Sequence, residues 1–147
     1  MTKGAALKAH ETTVRVRYAE TDAMGFVYHT NYLVWFEVGR AEYMRAAGFP
    51  YSRLEQEEGI YLPVIDLACR FVHPAHYDDP IKIRTLVKDM TRVKLSFSYQ
   101  LFHAEGGHLL TEGHTTHVFT DCDGKPKRLS LSSPLWRFMR ENVDATT

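Results

Sequence analysis

Residues 18–45 read Y-A-E-T-D-A-M-G-F-V-Y-H-T-N-Y-L-V-W-F-E-V-G-R-A-E-Y-M-R, a polar loop running into an apolar helix, and this order decides the fold. From Asn31 to Ala47 there is no proline, and Gly48 followed by Phe49-Pro50 supplies a C-terminal stop. Thr30 or Asn31 can cap the start, because each offers a side-chain oxygen to free first-turn amides. Tyr32, Trp35, Phe36, Gly39, Tyr43, Ala46 and Ala47 follow the rhythm of one helical face. Leu33, Val34, Val38, Ala41 and Met44 make much of the remaining circumference apolar as well, with charge confined to Glu37, Arg40, Glu42 and Arg45. A surface helix carries a narrower stripe, so this one is expected to be enclosed. The loop at its head holds Asp22, Gly25 and His29, and there the chemistry is expected.

Working outward, residues 1–11 read as a polar lead-in, and Thr13 to Tyr18 alternates like a half-buried strand. Tyr51 to Glu58 fits a short helical turn ending at Gly59. Tyr61–Val72, Ile81–Lys88, Lys94–His103 and Leu109–Thr120 read as four strands, with Leu95, Phe97, Tyr99 and Leu101 on one face. Pro63 marks an irregularity, and Glu105-Gly106-Gly107 a hairpin turn. Ser133-Pro134 opens a last helix to Glu141. Strands in hairpin succession make an antiparallel sheet, and a long apolar helix needs a sheet face to cover it. The expected class is α+β: a curved antiparallel sheet wrapped around one central helix. Residues 1–147 form one domain in this reading, with 1–11 and 142–147 loose.

The chain has 147 residues, and its 18 Lys+Arg balance its 18 Asp+Glu, so bulk attraction to nucleic acid or a membrane surface is not expected. Its two cysteines, Cys69 and Cys122, make no disulfide framework and suit a reducing, cytoplasmic setting. No signal peptide or membrane-length apolar run is visible.

The 18–40 run resembles the signature of hotdog-fold acyl-CoA thioesterases of the 4-hydroxybenzoyl-CoA thioesterase and YbgC-like group. F-V-H-P-A-H-Y-D-D at 71–79 and K-P-K-R-L at 125–129 resemble two further segments of that family, in the same order. Glu20, Met24 and Gly39 depart from its commonest residues. The resemblance implies hydrolysis of an acyl-CoA, with an acyl-carrier-protein thioester as a second candidate, and no metal or redox cofactor. It implies that Asp22 is the catalytic carboxylate, as nucleophile or as base for water, and that the His29 position supplies an amide to the thioester oxygen. The His29 imidazole is a further catalytic candidate. A carboxylate near a helix N-terminus is favoured in its ionised form by ~0.3–1 kcal/mol, and ionisation is what a base or nucleophile needs. Gly25 permits a tight turn there.

Val27, Tyr28, Tyr32 and Glu37 are expected near the substrate, although Glu37 can equally pair with Arg40 or Arg45. Coenzyme A carries phosphates, so Arg92, Lys94 and Arg128, with Lys125 and Lys127, are candidates for the mouth of the site. His114 and His117 are an odd number apart on a strand and should face opposite ways, which argues against a metal site. The family implies a homodimer or a dimer of dimers, a homotetramer. The rival readings are a hotdog hydratase or dehydratase acting on enoyl or 3-hydroxyacyl thioesters, and a non-catalytic acyl-binding protein.

Overall fold

Five antiparallel strands pair side by side in the order β1-β3-β4-β5-β2, in a computed structural model that describes residues 7–144. Strand β1 is Ala9–Arg15, β2 Val64–Phe71, β3 Pro80–Met90, β4 Lys94–His103 and β5 Leu109–Val118. Helix α1, Thr30–Ala46, lies against β1, β3 and β4. Short α2, Tyr51–Arg53, runs into a π-helical turn at Leu54–Glu58, which Gly59 closes with a left-handed φ of 63°. Helix α3, Pro134–Glu141, starts where Ser133 Oγ accepts the Trp136 amide.

The alternation in β4 does what its pattern requires: Leu95, Phe97, Tyr99 and Leu101 are all no more than 1 % exposed. They meet Phe36, which stacks on Tyr99 at 4.4 Å, and Tyr43, whose ring lies edge-on to Phe97 at 5.8 Å. Helix and sheet therefore share one core, joined in part by these aromatic contacts.

Several expectations need correction. The first strand starts at Ala9, not Thr13, because residues 9–15 pair with Leu86 to Pro80; Tyr18–Glu20 is a 3₁₀ turn instead of strand. Strand β2 starts at Val64, since Pro63 cannot continue the ladder and Tyr61 makes only an isolated bridge to Thr120. Neither Thr30 nor Asn31 caps α1; His29 stands at the cap position, already helical in conformation and with no side-chain cap bond. Ala46 is exposed while Met44 is buried. The helix is also less enclosed than its composition demands, for Val34 is 47 % exposed. Residues 142–144 are packed, with Asn142 buried and Val143 bridged to Val87. The expected loose ends at 1–6 and 145–147 lie outside the described residues.

Candidate active site

The loop at the head of α1 is a closed unit. Thr21 and Val27 form a bridge at its base, and the Glu20 carbonyl accepts both the Tyr28 amide and the Asn31 side-chain amide. Glu20 can serve as this anchor because its buried carboxylate is itself held by the Arg17 amide at 2.7 Å. Asn31, expected as a cap, is instead a clamp between loop and helix.

Asp22 sits at the tip of this unit and is exposed. Its Oδ1 accepts the amides of Met24 (2.9 Å) and Phe26 (3.1 Å), while Oδ2 has no partner among the described residues. Gly25 closes the turn onto the Asp22 carbonyl with φ of 82°, a conformation that side chains with a Cβ rarely adopt. Two main-chain donors thus fix the carboxylate and leave one oxygen free.

Behind the loop, the amides of Asn31 and Tyr32 close onto the carbonyls of Tyr28 and His29. The His29 and Thr30 amides donate to nothing among the described residues. Free donors at a helix N-terminus attract developing negative charge. The His29 imidazole is exposed, lying 4.5 Å from the Tyr28 ring and 6.4 Å from that of Phe71.

A cleft of about 330 Å³ opens beside these amides, lined by Phe26, Val27, His29 and Tyr32 on one side and by residues 71–74 on the other. Ala75 ties the two sides together: its carbonyl accepts the Val27 amide and its own amide donates to Tyr32 Oη. Burial raises the pKa of the Tyr32 phenol, so it stays protonated and neutral. Val72, His73 and Pro74 escaped the reading of the sequence as cleft residues. Their segment stood out as a motif, but only pairing of Phe71 with Thr111 at the sheet end brings it beside the helix head.

Other candidates lie elsewhere. Tyr28 is half exposed and touches the cleft only through His29. Glu37 lines a separate groove with Arg40, and Arg45 pairs with Glu42 instead, one turn nearer. Lys94 pairs with Val118 at the end of the sheet remote from Phe71, and Arg92 donates from Nε to the Leu129 carbonyl there. Arg128 adjoins that contact and Lys127 donates to the Glu58 carbonyl. Within one chain these basic residues are therefore not brought to Asp22. His114 faces Asp66 at 3.7 Å, while His117 on the other face is buried between Thr115 Oγ1 and the Leu62 carbonyl.

With this geometry in hand, the likeness to known proteins is informative. A profile of the thioesterase-like superfamily matches residues 16–141. YneP of Bacillus subtilis (strain 168), named provisionally as an acyl-CoA thioesterase, is 36% identical over 131 residues, spanning 88% of this chain and 94% of that protein. The acyl-CoA thioester hydrolase YbgC of Escherichia coli O6:H1 is 33% identical over 120 residues, 81% of this chain and 88% of its own. Among solved structures, a DHNA-CoA thioesterase from Staphylococcus aureus superposes with a TM-score of 0.83 at 36% identity, covering 90% of this chain and 89% of that one. The shared architecture, an open antiparallel sheet carrying one long helix, is the hotdog fold.

Proposed function

The chain belongs to the thioesterase-like superfamily, and from that premise we propose that it hydrolyses acyl-CoA to a free acid and coenzyme A using Asp22 and the head of α1. The observation that carries this reading is the pairing of two unengaged amides, His29 and Thr30, with a carboxylate fixed by Met24 and Phe26. The thioester oxygen would rest on those amides as negative charge grows on it; losing one such donor typically costs about 10²–10³ in rate. Asp22 Oδ2 either attacks the carbonyl carbon, giving an acyl–aspartyl anhydride that water then hydrolyses to the free acid, or takes a proton from the attacking water. In both routes the C–S bond breaks and coenzyme A leaves as the thiolate. No metal or redox cofactor takes part in this scheme, and the His29 imidazole orients the substrate at the rim.

The finer reading includes the assembly and setting. The chain acts as a homodimer paired along β2, or as a tetramer of two such pairs, in the reducing environment of the cytoplasm. Pairing about the middle of β2 would set the partner's Val64 end beside this chain's Phe71 end. The remote basic residues Arg92, Lys94 and Arg128 of one subunit would then approach the other's cleft and serve the phosphates of coenzyme A. Acyl-carrier-protein thioesters are a second substrate candidate for the same chemistry.

Thiol release from a panel of acyl-CoAs tests the proposal. The wild type should liberate coenzyme A, and Asp22→Asn should abolish it by at least a hundredfold. Conversion of a 2-enoyl-CoA to its 3-hydroxy product without thiol release would refute hydrolysis in favour of hydration.

A further inference from the structure

One buried hydroxyl at the active-site cleft is only half used. A phenol carries one O–H donor as well as acceptor lone pairs. Tyr32 Oη accepts the Ala75 amide at 3.2 Å, which occupies a lone pair, while its own proton has no acceptor among the described residues. The residue is 4 % exposed, and a buried donor left unmet is destabilising. Burial raises the pKa of this phenol, so the proton is retained at neutral pH and well above it.

Three restraints place that hydroxyl. Trp35 and Phe71 lie edge-on to the ring, at 5.4 and 5.3 Å between centroids, and limit its tilt. The Ala75 bond joins the hydroxyl to the far wall of the cleft, opposite the helix side that Tyr32 shares with His29. The Cα–Cβ bonds of a helix lean toward its N-terminus, so the Tyr32 ring is carried back over the turn that begins at His29. There the His29 and Thr30 amides are unengaged as well. Three donors without acceptors among the described residues, two from the main chain and one from a side chain, thus gather at the head of α1.

We propose that the Tyr32 hydroxyl is a third donor to the thioester oxygen, joining the His29 and Thr30 amides. The assignment rests on the thioesterase reading and makes Tyr32 a catalytic residue. No proton is transferred in this role. The phenol keeps its proton, and the hydrogen bond strengthens as the carbonyl oxygen gains negative charge, so it favours the transition state over the bound substrate. The Ala75 bond serves the same end, because it uses a lone pair and leaves the O–H for the substrate.

Steady-state thiol release separates this role from a purely structural one. Tyr32→Phe should lower kcat and kcat/KM by the same factor, about a hundredfold, because the lost bond belongs to the transition state. A ring-fluorinated tyrosine at position 32 keeps both ring and hydroxyl, and so covers a phenylalanine variant that fails to fold. As its more acidic phenol ionises, kcat should fall about a hundredfold, an alkaline limb that the wild type lacks. A hydroxyl that only holds Ala75 gives the reverse, since a phenolate accepts that amide better than a phenol does. Unchanged kcat in Tyr32→Phe, a change confined to KM, or a fluorotyrosine profile without the limb overturns the proposal. Infrared difference spectra of a bound ketone analogue, with methylene in place of the thioester sulfur, give a readout without turnover. The wild type should hold the carbonyl stretch at lower frequency than Tyr32→Phe does, and equal frequencies refute the contact. If the wild type releases no thiol from any acyl-CoA, the hydrolysis reading fails, and the carbonyl stretch still decides what Tyr32 touches.

Discussion

At the residue scale, the two oxygens of Asp22 have separable duties. Oδ1 shapes the loop by accepting the Met24 and Phe26 amides, and Oδ2 has no partner among the described residues, which leaves it available for the proposed chemistry. Asp22→Asn keeps an acceptor for those amides, so it should lose turnover while melting within a degree or two of the wild type. Asp22→Ala loses both bonds and should in addition cost about 1–2 kcal/mol in urea denaturation. Equal melting losses in the two variants would contradict this division. His117 gives a residue-scale prediction in pH. Burial, the dominant cause, lowers its pKa to about 4, outweighing the bond to the Leu62 carbonyl that favours the charged form. The unfolded chain takes up a proton at this site below about pH 6.5, whereas the folded chain resists until about 4. The neutral ring's contribution is therefore complete above 6.5 and is lost as pH falls toward 4, at up to roughly 1.4 kcal/mol per pH unit. The stability gap between wild type and His117→Gln should narrow across that window, and a constant gap would show that His117 does not titrate there.

Between elements, α1 comes close against the sheet at Gly39. A Cβ there would stand 2.5 Å from Thr85 Oγ1 and 2.7 Å from Ile83 Cγ2. Thr85 is fully buried and its hydroxyl has no hydrogen-bond partner among the described residues, so it has no polar contact to trade for movement. Gly39→Ala, though it raises helix propensity, should destabilise by about 1–3 kcal/mol, read as a lower urea midpoint at unchanged slope. A gain in stability would mean that helix and sheet slide apart freely. Gly113 makes the matching concession from β5, where a Cβ would meet the Phe36 ring at 2.8 Å and the Ala68 carbonyl. These contacts explain what could be read in advance. Period-two alternation in β4 and the helical rhythm from Tyr32 to Tyr43 are local signals, and burial follows both. Asp22, Gly25 and His29 were legible because they fall within one short motif. The Asn31 clamp on Glu20, the Ala75 tie and the wall at Val72–Pro74 depend on segments more than ten residues apart meeting through the sheet register, which no local pattern encodes. For the basic residues, type marked them as candidates, while their position at the other end of the sheet within one chain was not legible.

For the whole molecule, the unresolved demand is the β2 edge. Among the described strands it pairs only with β5, and Val64, Ile65, Leu67 and Phe71 are between 41 % and 52 % exposed. A long apolar edge with an unpaired backbone invites another strand. Val34 of α1, beside it, is equally bare. A second copy of β2, running antiparallel about a two-fold axis, meets both needs, because each copy offers the same patch to the other. It would also cover the groove between α1 and β2, and it explains why a helix apolar on most sides is left half-covered in one chain. The wild type should therefore sediment as a dimer or a dimer of dimers. Val64→Lys with Ile65→Lys sets two charges against the Phe71 end of the other copy, on residues outside the fold's core, and should shift the species to monomer with thiol release reduced at least tenfold. Circular dichroism of that variant should match the wild type, since neither side chain is buried. An active wild-type monomer would overturn the pairing.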